Sequence, residues 1–375
     1  MTPQRASRSG DQYAGFRVEP WLDWLGAWPS RWPGLVRRIG DFETRQLAHE
    51  LEGIPIRAPI FICGLARSGS TILLECLAQH DQTVTHRYRD YPGVMAPVFW
   101  DHVARRLYAR HGAARERAHG DGISVTPDSP EAIEEMLWMA FHPRSHDAAH
   151  DNSLDRDGLA PGFASHYRDH IRKLLWLRGG TRYLSKGNYN VARLGALIGL
   201  FPDARFIVPV RDPVTHIASL MRQHQRFCAA ETAHPAALRY MQRIGHFEFG
   251  LDRRPLNLGD CGCVAEVERL WGIGRDVEGW SLYWANVHDF IADRLVHDAA
   301  LRGAVLPVRF EDLCAQGATT LASVLAHAGL AADESWIARQ AARLRAPSYY
   351  EVALDDVDRR TIRDLTAGAA ARFGY

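Results

Sequence analysis

The chain has 375 residues, of which 46% are hydrophobic and 24% charged, and this is enough for a globular core with insertions. Its formal net charge of +1 argues against a protein that binds nucleic acid or anionic membrane over its whole surface. No window approaches the ~18 uninterrupted apolar residues typical of a membrane span.

The cysteines and the N-terminal sequence bear on the compartment. Six cysteines are scattered along the chain, and Cys261 and Cys263 lack a second ligand pair at zinc-site spacing. The first residues do not have the succession of basic, apolar and small residues that marks a signal peptide. We therefore predict a reduced, cytoplasmic enzyme.

Residues 1–50 are predicted to form a helical extension. Four tryptophans, Trp21, Trp24, Trp28 and Trp32, follow one another at spacings of three, four and four, which places them on one helical face. A stripe of this kind usually packs on its own domain, and the alternative is peripheral contact with a membrane interface.

Residues 51–375 are predicted to form one α/β domain. Strand patterns recur at 59–63, 182–185, 205–210 and 305–310, and helix patterns at 70–80, 190–200, after 213 and at 280–296. This alternation predicts a parallel sheet covered by helices on both faces. The segments 88–180 and 225–275 are interpreted as insertions over the site.

A glycine loop from Gly64 to Thr71 follows the first strand and leads into a helix, as a phosphate-binding loop requires. The glycines allow tight turns that present consecutive N–H groups, and the serine and threonine hydroxyls add donors. Nucleoside triphosphatases place a lysine directly after the second glycine, where this chain has Ser70. The cation of this loop is Arg67 instead.

The run Arg67-Ser68-Gly69-Ser70-Thr71 resembles the 5′-phosphosulfate loop of sulfotransferases that use 3′-phosphoadenosine 5′-phosphosulfate (PAPS). A second signature, Arg211 at a strand end with Ser219 eight residues later, is similar to the family's 3′-phosphate site. The arginine form resembles the tyrosylprotein-sulfotransferase-like and bacterial branch. The resemblance implies a three-layer P-loop-type fold, PAPS as co-substrate, 3′,5′-diphosphoadenosine (PAP) as product and no metal requirement.

The resemblance also assigns catalytic roles. Arg67 and Lys186 match cations placed near the transferred group, whereas the position of the cytosolic branch's catalytic histidine is occupied here by Asn188. Asn cannot usefully accept a proton at neutral pH, so the base must come from elsewhere. His86 and Asp90, shortly after the first helix, are the predicted candidates, and ordinary hydrogen-bonding roles are the alternative for both.

Two other function classes stay open on the sequence. One is a P-loop kinase or nucleoside triphosphatase, and the other is a non-catalytic nucleotide-binding adaptor built on the same fold. The predicted acceptor is a hydroxyl or amine on a small molecule, carbohydrate, lipid or peptide, with no nucleic-acid partner. The sequence does not predict an oligomeric state.

Overall fold

The centre of the protein is a sheet of five short parallel strands. The computed structural model describes residues 13–108, 114–117, 124–345 and 354–375. In chain order the strands are β1 (Ile60–Ile62), β2 (Thr83–Val84), β3 (Arg115–Glu116), β4 (Ser124–Val125), β5 (Arg182–Lys186), β6 (Arg205–Val210) and β7 (Val305–Arg309). The sheet order is β2-β5-β1-β6-β7, and β3 and β4 form a separate antiparallel pair. This confirms the predicted α/β class with a parallel sheet.

Helices cover the sheet and account for most of the described chain. They are α1 (Pro20–Arg31), α2 (Pro33–Gln46), α3 (Ala48–Leu51), α4 (Ser70–Leu77), α5 (Pro97–Tyr108), α6 (Glu135–Phe141), α7 (Phe163–Arg178), α8 (Leu194–Leu200), α9 (Pro213–Ala233), α10 (Pro235–Ile244), α11 (Cys261–Gly272), α12 (Asp276–His297), α13 (Ala299–Ala304), α14 (Phe310–Ala315), α15 (Gly317–Ala328), α16 (Glu334–Ala341) and α17 (Asp356–Ala371). No helix within the described ranges is both long and apolar enough to cross a bilayer.

The strands are apolar because both faces of the sheet are buried. Side chains alternate between the faces, so Ile60 and Ile62 of β1 pack into one core and Phe61 into the other. All three are completely buried. Two cores separated by the sheet give the three layers expected of this architecture.

The observed elements follow most of the predicted ones. Strand β6 has the predicted limits, and β1, β5 and β7 differ from prediction by one residue at one or both ends. The edge strand β2 was not predicted, because two residues are too few to show a period. Helix α9 runs on to Ala233, so the predicted start of the second insertion at 225 lies inside a helix. The division into an extension and one domain stays a prediction.

The tryptophan-rich stretch forms two helices and not one. Trp32 ends α1 with φ −132° and ψ 56°, and Pro33 is the first residue of α2. The proline ring disfavours the helical conformation for the residue before it, and proline is well suited to a first helical position. The chain therefore turns at this dipeptide.

Candidate active site

The loop between β1 and α4 has the tight backbone that its glycines predict. Gly64, Arg67 and Gly69 have φ values of +137°, +70° and +101°. A Cβ atom on Gly69 would lie 2.6 Å from a ring carbon of Phe310, so a side chain there is excluded by packing as well as by conformation. The loop ends at the N-terminus of α4, where backbone N–H groups carry partial positive charge.

A buried histidine supports this loop from α9. His216 Nε2 lies 2.8 Å from the Ala66 carbonyl oxygen, and the Trp284 indole donates to His216 Nδ1 at 3.0 Å. Because the indole can only donate, Nδ1 accepts and the proton on Nε2 goes to the carbonyl. Burial holds the pKa of His216 well below its usual value, so the ring is neutral. Sequence reasoning missed His216, although it lies one helical turn before Ser219.

The two predicted anion-binding signatures meet in space. Arg211 Nη1 donates to the Arg67 carbonyl oxygen at 3.3 Å, and Arg67 Nε donates to Ser219 Oγ at 3.3 Å. Arg211 also donates to Thr215 Oγ1 at 3.1 Å, and its guanidinium carbon lies 4.8 Å from the Phe310 ring centre. The structure thus brings together two motifs that are more than 140 residues apart in the sequence.

A cavity of about 580 Å³ opens at this edge of the sheet. Its lining includes Arg67, Gly69, Ser70 and Thr71 of the loop, together with Arg211. These residues follow the carboxyl ends of β1 and β6, where ligands bind in open parallel sheets. The volume lies in the range of small-molecule and cofactor sites. Two of the predicted site residues, Ser68 and Ser219, are instead fully buried and lie outside this lining.

Lys186 ends β5 and reaches the same cavity. Burial lowers the pKa of its ammonium, while the carboxylates of Glu248 and Glu131 oppose that shift. A cation in this position is little screened by solvent, so it can stabilise negative charge that develops on a bound group.

Asn188 takes part in a second polar group at the cavity. Its Nδ2 donates to Glu248 Oε1 at 2.6 Å, and Glu248 Oε2 lies 3.3 Å from His246 Nδ1. Burial raises the pKa of Glu248, but His246, Lys186 and Asn188 outweigh it and hold that pKa below its usual value. All four residues line the cavity. Sequence reasoning missed His246 and Glu248, which lie in the predicted second insertion.

The first insertion also supplies residues to the cavity. Glu131 lies in its lining near Tyr88, and burial and Glu131 raise the pKa of that phenol well above its usual value. Arg117 donates to Thr71 Oγ1 at 3.4 Å, which ties the insertion to the anion-binding loop. Residues of this segment therefore form part of the cavity wall, and its status as an insertion stays a prediction.

The predicted base candidates lie elsewhere, in a closed network formed by His86, Asp90, His170 and Arg178. His86 Nδ1 lies 3.2 Å from Asp90 Oδ2, and His86 Nε2 lies 3.1 Å from His170 Nε2. Arg178 Nη2 donates to both Asp90 oxygens at 2.6 Å. Burial raises the pKa of Asp90, but His86 and Arg178 outweigh it and hold that pKa well below its usual range.

This network has little access to a substrate. His86 and Asp90 are 1% and 3% exposed, and neither lines the cavity. Their placement corresponds to the hydrogen-bonding alternative and does not favour the catalytic role predicted for them. Among the described residues, no group of three or more His, Cys, Asp or Glu side chains is arranged to hold a metal ion.

Comparisons with known proteins agree with this architecture. Sulfotransferase STF1 from Mycobacterium tuberculosis H37Rv is 20% identical, with 92% of this chain and 86% of that chain covered and a TM-score of 0.50. Sulfotransferase STF9 from Mycobacterium avium is 15% identical, with 88% and 81% covered and a TM-score of 0.51. At these identities the likeness establishes the fold.

The sequence itself carries the family assignment. No curated protein matches the chain. The model of the "Sulfotransferase family" matches residues 59–249, which span β1, the anion-binding loop, Lys186, Arg211, Ser219 and Glu248. Since this match covers just over half of the chain and the fold agrees with it, the protein belongs to the sulfotransferase family and sulfotransfer is the activity that its family and fold support.

Proposed function

We propose that this protein transfers the sulfuryl group of PAPS to a hydroxyl or amine acceptor bound in the cavity. The observation that carries the proposal is the convergence of Arg67, Arg211 and Ser219, which belong to two separate anion-binding motifs. PAPS has two anionic ends, a 5′-phosphosulfate and a 3′-phosphate, and these motifs supply donors for each. A charge-assisted hydrogen bond contributes roughly 1.5–3 kcal/mol, so two of them discriminate strongly between nucleotides.

The residues divide into two binding roles. The loop amides with Arg67 hold the 5′-phosphosulfate, and Ser70 and Thr71 add hydroxyl donors. Arg211 and Ser219 hold the 3′-phosphate. Ser219 is buried outside the cavity lining and accepts a hydrogen bond from Arg67. We propose that movement of Arg67 onto the phosphosulfate frees this hydroxyl and opens it to the 3′-phosphate.

Lys186 supports the chemical step. The acceptor oxygen or nitrogen attacks sulfur in line, the bond from sulfur to the phosphate oxygen breaks, and PAP leaves with the added negative charge. The Lys186 ammonium, partly buried in the cavity lining with Arg67, stabilises that charge. The proton of the acceptor must pass to a base as the new bond forms.

We propose His246 as that base, with Glu248 as the residue that orients it. Both line the cavity, and Glu248 is fixed in turn by Asn188. A carboxylate oxygen 3.3 Å from Nδ1 favours the tautomer with its proton on Nδ1, which leaves Nε2 to accept a proton. Asn188 occupies the position where the cytosolic branch has its histidine. In this proposal His246, from another segment of the chain, supplies a histidine close to that position. His86 and Asp90 stay untested as alternatives.

Thermal stabilisation by PAP, compared with 5′-AMP and ATP, tests the donor assignment. A ligand that binds the native state raises its stability in proportion to ln(1 + [L]/Kd), so the melting temperature ranks the three nucleotides. PAP at 1 mM should raise the melting temperature more than either competitor. Equal shifts would remove the support for a 3′-phosphate site, and a preference for ATP together with ATP hydrolysis would favour a kinase or nucleoside triphosphatase.

A further inference from the structure

Helices α1 and α2 present an apolar surface to solvent. Trp24, Trp28 and Trp32 are 64%, 52% and 54% exposed. Large apolar side chains are also exposed on α2 and α5, and we call the whole set the outer apolar face: Trp24, Trp28, Trp32, Leu35, Ile39, Phe42, Phe99 and Val103. The rings of Phe42 and Phe99 are 6.2 Å apart, so the face is continuous between α2 and α5. The expected packing on the domain is seen for Trp21, whose ring contacts Tyr108.

Contacts on the inner side of α2 fix the orientation in which its apolar side chains face solvent. Glu43 is completely buried and pairs with Lys173 at 3.1 Å, and Lys173 also donates to the Gly40 carbonyl at 2.7 Å. A Cβ atom on Gly40 would lie 2.5 Å from the Met95 carbonyl oxygen, so only glycine fits there. Turning the apolar side inward would break a buried ion pair, which is strongly unfavourable.

Helix α1 is held in the same way. Asp23 accepts hydrogen bonds from Arg239 and Arg243 of α10, each at 2.6 Å. These polar contacts face the protein, and Trp21, Leu22 and Val36 also pack on it. The members of the outer apolar face on α1 and α2 are exposed on the side where a surface helix of a globular protein usually carries polar residues.

A row of cations accompanies the outer apolar face. Arg31 is exposed at the end of α1, and Arg38 and Arg45 are exposed on α2, where their spacing of seven residues is about two helical turns. They border the apolar side chains of α2, which is a 14-residue helix and therefore about 21 Å long. Tryptophans beside arginines on one helical surface are typical of helices that lie in the interface of an anionic bilayer.

We propose that the outer apolar face docks the protein onto an anionic lipid surface, with the three tryptophans inserted among the headgroups. The charge pattern decides against a second copy as the occupant. A two-fold interface would place the same arginine row from both copies at one contact, where like charges repel. Anionic headgroups neutralise the row, and each cation near such a surface strengthens binding.

Flotation with lipid vesicles tests the proposal on the full chain. We expect wild-type protein to float with phosphatidylcholine vesicles that contain 25% phosphatidylglycerol and to bind pure phosphatidylcholine much more weakly. Reversal of the arginine row in Arg31→Glu/Arg38→Glu/Arg45→Glu should weaken binding to the anionic vesicles by about 100-fold or more. Trp28→Ser/Trp32→Ser should weaken binding to both kinds of vesicle.

Matched controls lie on exposed positions away from this face. Ile273→Ser/Val357→Ser removes exposed apolar side chains, and Arg360→Glu/Arg363→Glu reverses exposed charges on α17. Both should float as the wild type does. Equal loss in the controls, or wild-type protein that floats with neither vesicle, would overturn the proposal.

Two measurements keep the proposal testable if a variant folds poorly. Vesicles of brominated lipid should quench part of the tryptophan fluorescence of wild-type protein, and lack of quenching would contradict insertion. Light scattering after size exclusion reports the oligomeric state without lipid. A dimer that is lost in Trp28→Ser/Trp32→Ser would show that a second copy occupies this face.

Discussion

Two histidine–carboxylate pairs in this protein share similar chemistry and differ in access. His86 and Asp90 lie in the closed network, where every side chain contacts another charged or aromatic group. His246 and Glu248 lie at the cavity beside Asn188 and Lys186. The comparison shows that distance in the sequence from a known motif can identify residues of a suitable chemical type. Whether such a pair can contact a substrate depends on whether its side chains reach the cavity.

The largest effect is expected in the closed network. Asp90→Asn leaves Arg178 buried without its counterion, so the free energy of unfolding should fall by about 3–5 kcal/mol at pH 7. Urea denaturation measures it. Asp128→Asn is the control, because this exposed partner of Arg87 should change stability by about 1 kcal/mol or less. An unchanged stability in Asp90→Asn, with lost turnover, would return Asp90 to the catalytic candidates.

The second-largest effect is expected when the histidine of the His246–Glu248 pair is replaced. His246→Asn should lower kcat by about 100-fold, because general base catalysis contributes 10²–10⁴. Transfer of ³⁵S from PAPS to the best acceptor in a panel of phenols, sugars and lipid alcohols measures it. PAP binding should be unchanged. His86→Asn is the matched control, and it should lose stability but keep kcat per folded molecule; the opposite pattern would exchange the two assignments.

A smaller effect is expected at Ser219. In Ser219→Ala, one donor to the 3′-phosphate is lost, so the affinity ratio of PAP to 5′-AMP should fall by roughly 10-fold. Calorimetric titration measures both affinities. Ser165→Ala, at an exposed position on α7, is the control. A ratio that does not change would place the 3′-phosphate away from Ser219.

The smallest expected effect is a change in the free energy of unfolding at acidic pH. The folded-state pKa of Asp90 is held well below its ordinary value of 3.8, so its stabilising contribution is present above that pH and is lost as pH falls through the lowered pKa. The difference in unfolding free energy between wild type and Asp90→Asn should therefore stay constant from pH 7 to about 5 and shrink below pH 4. A difference that grows on acidification would contradict this ionisation state.

Several features of the fold and site could be predicted because they depend on local chemistry. The strands around Phe61 and Phe206 are short apolar runs bounded by turn residues. Because both faces of the sheet are buried, successive residues of these strands are apolar and the runs are recognisable. The loop from Gly64 to Thr71 has the conformation that its glycines predict, with two of them at positive φ and a helix directly after it. Arg211 could be placed at the site because parallel strands end at one edge of the sheet.

Other features could not be predicted because they depend on packing between distant segments. His246 and Glu248 are near neighbours in the chain, but they reach the cavity only because α10 ends beside it, and His216 meets Ala66 across 150 residues. No local period reports such contacts. The tryptophan stripe shows the same limit. Its spacing predicts one helical face, but the chain turns at Trp32 and Pro33, and Trp21 packs on the protein while Trp24 and Trp28 face solvent.

The sequence by itself determined the sheet, the turn of the glycine loop and the separation of Arg211 from Ser219, since backbone conformation and burial period act over a few residues. Only the tertiary structure decided that His86 and Asp90 are enclosed, that His246 lies at the cavity and that Trp24, Trp28 and Trp32 face solvent. The physical reason is that access depends on which surfaces pack together. Glu43 with Lys173 and Asp23 with Arg243 fix those surfaces through contacts more than 100 residues apart.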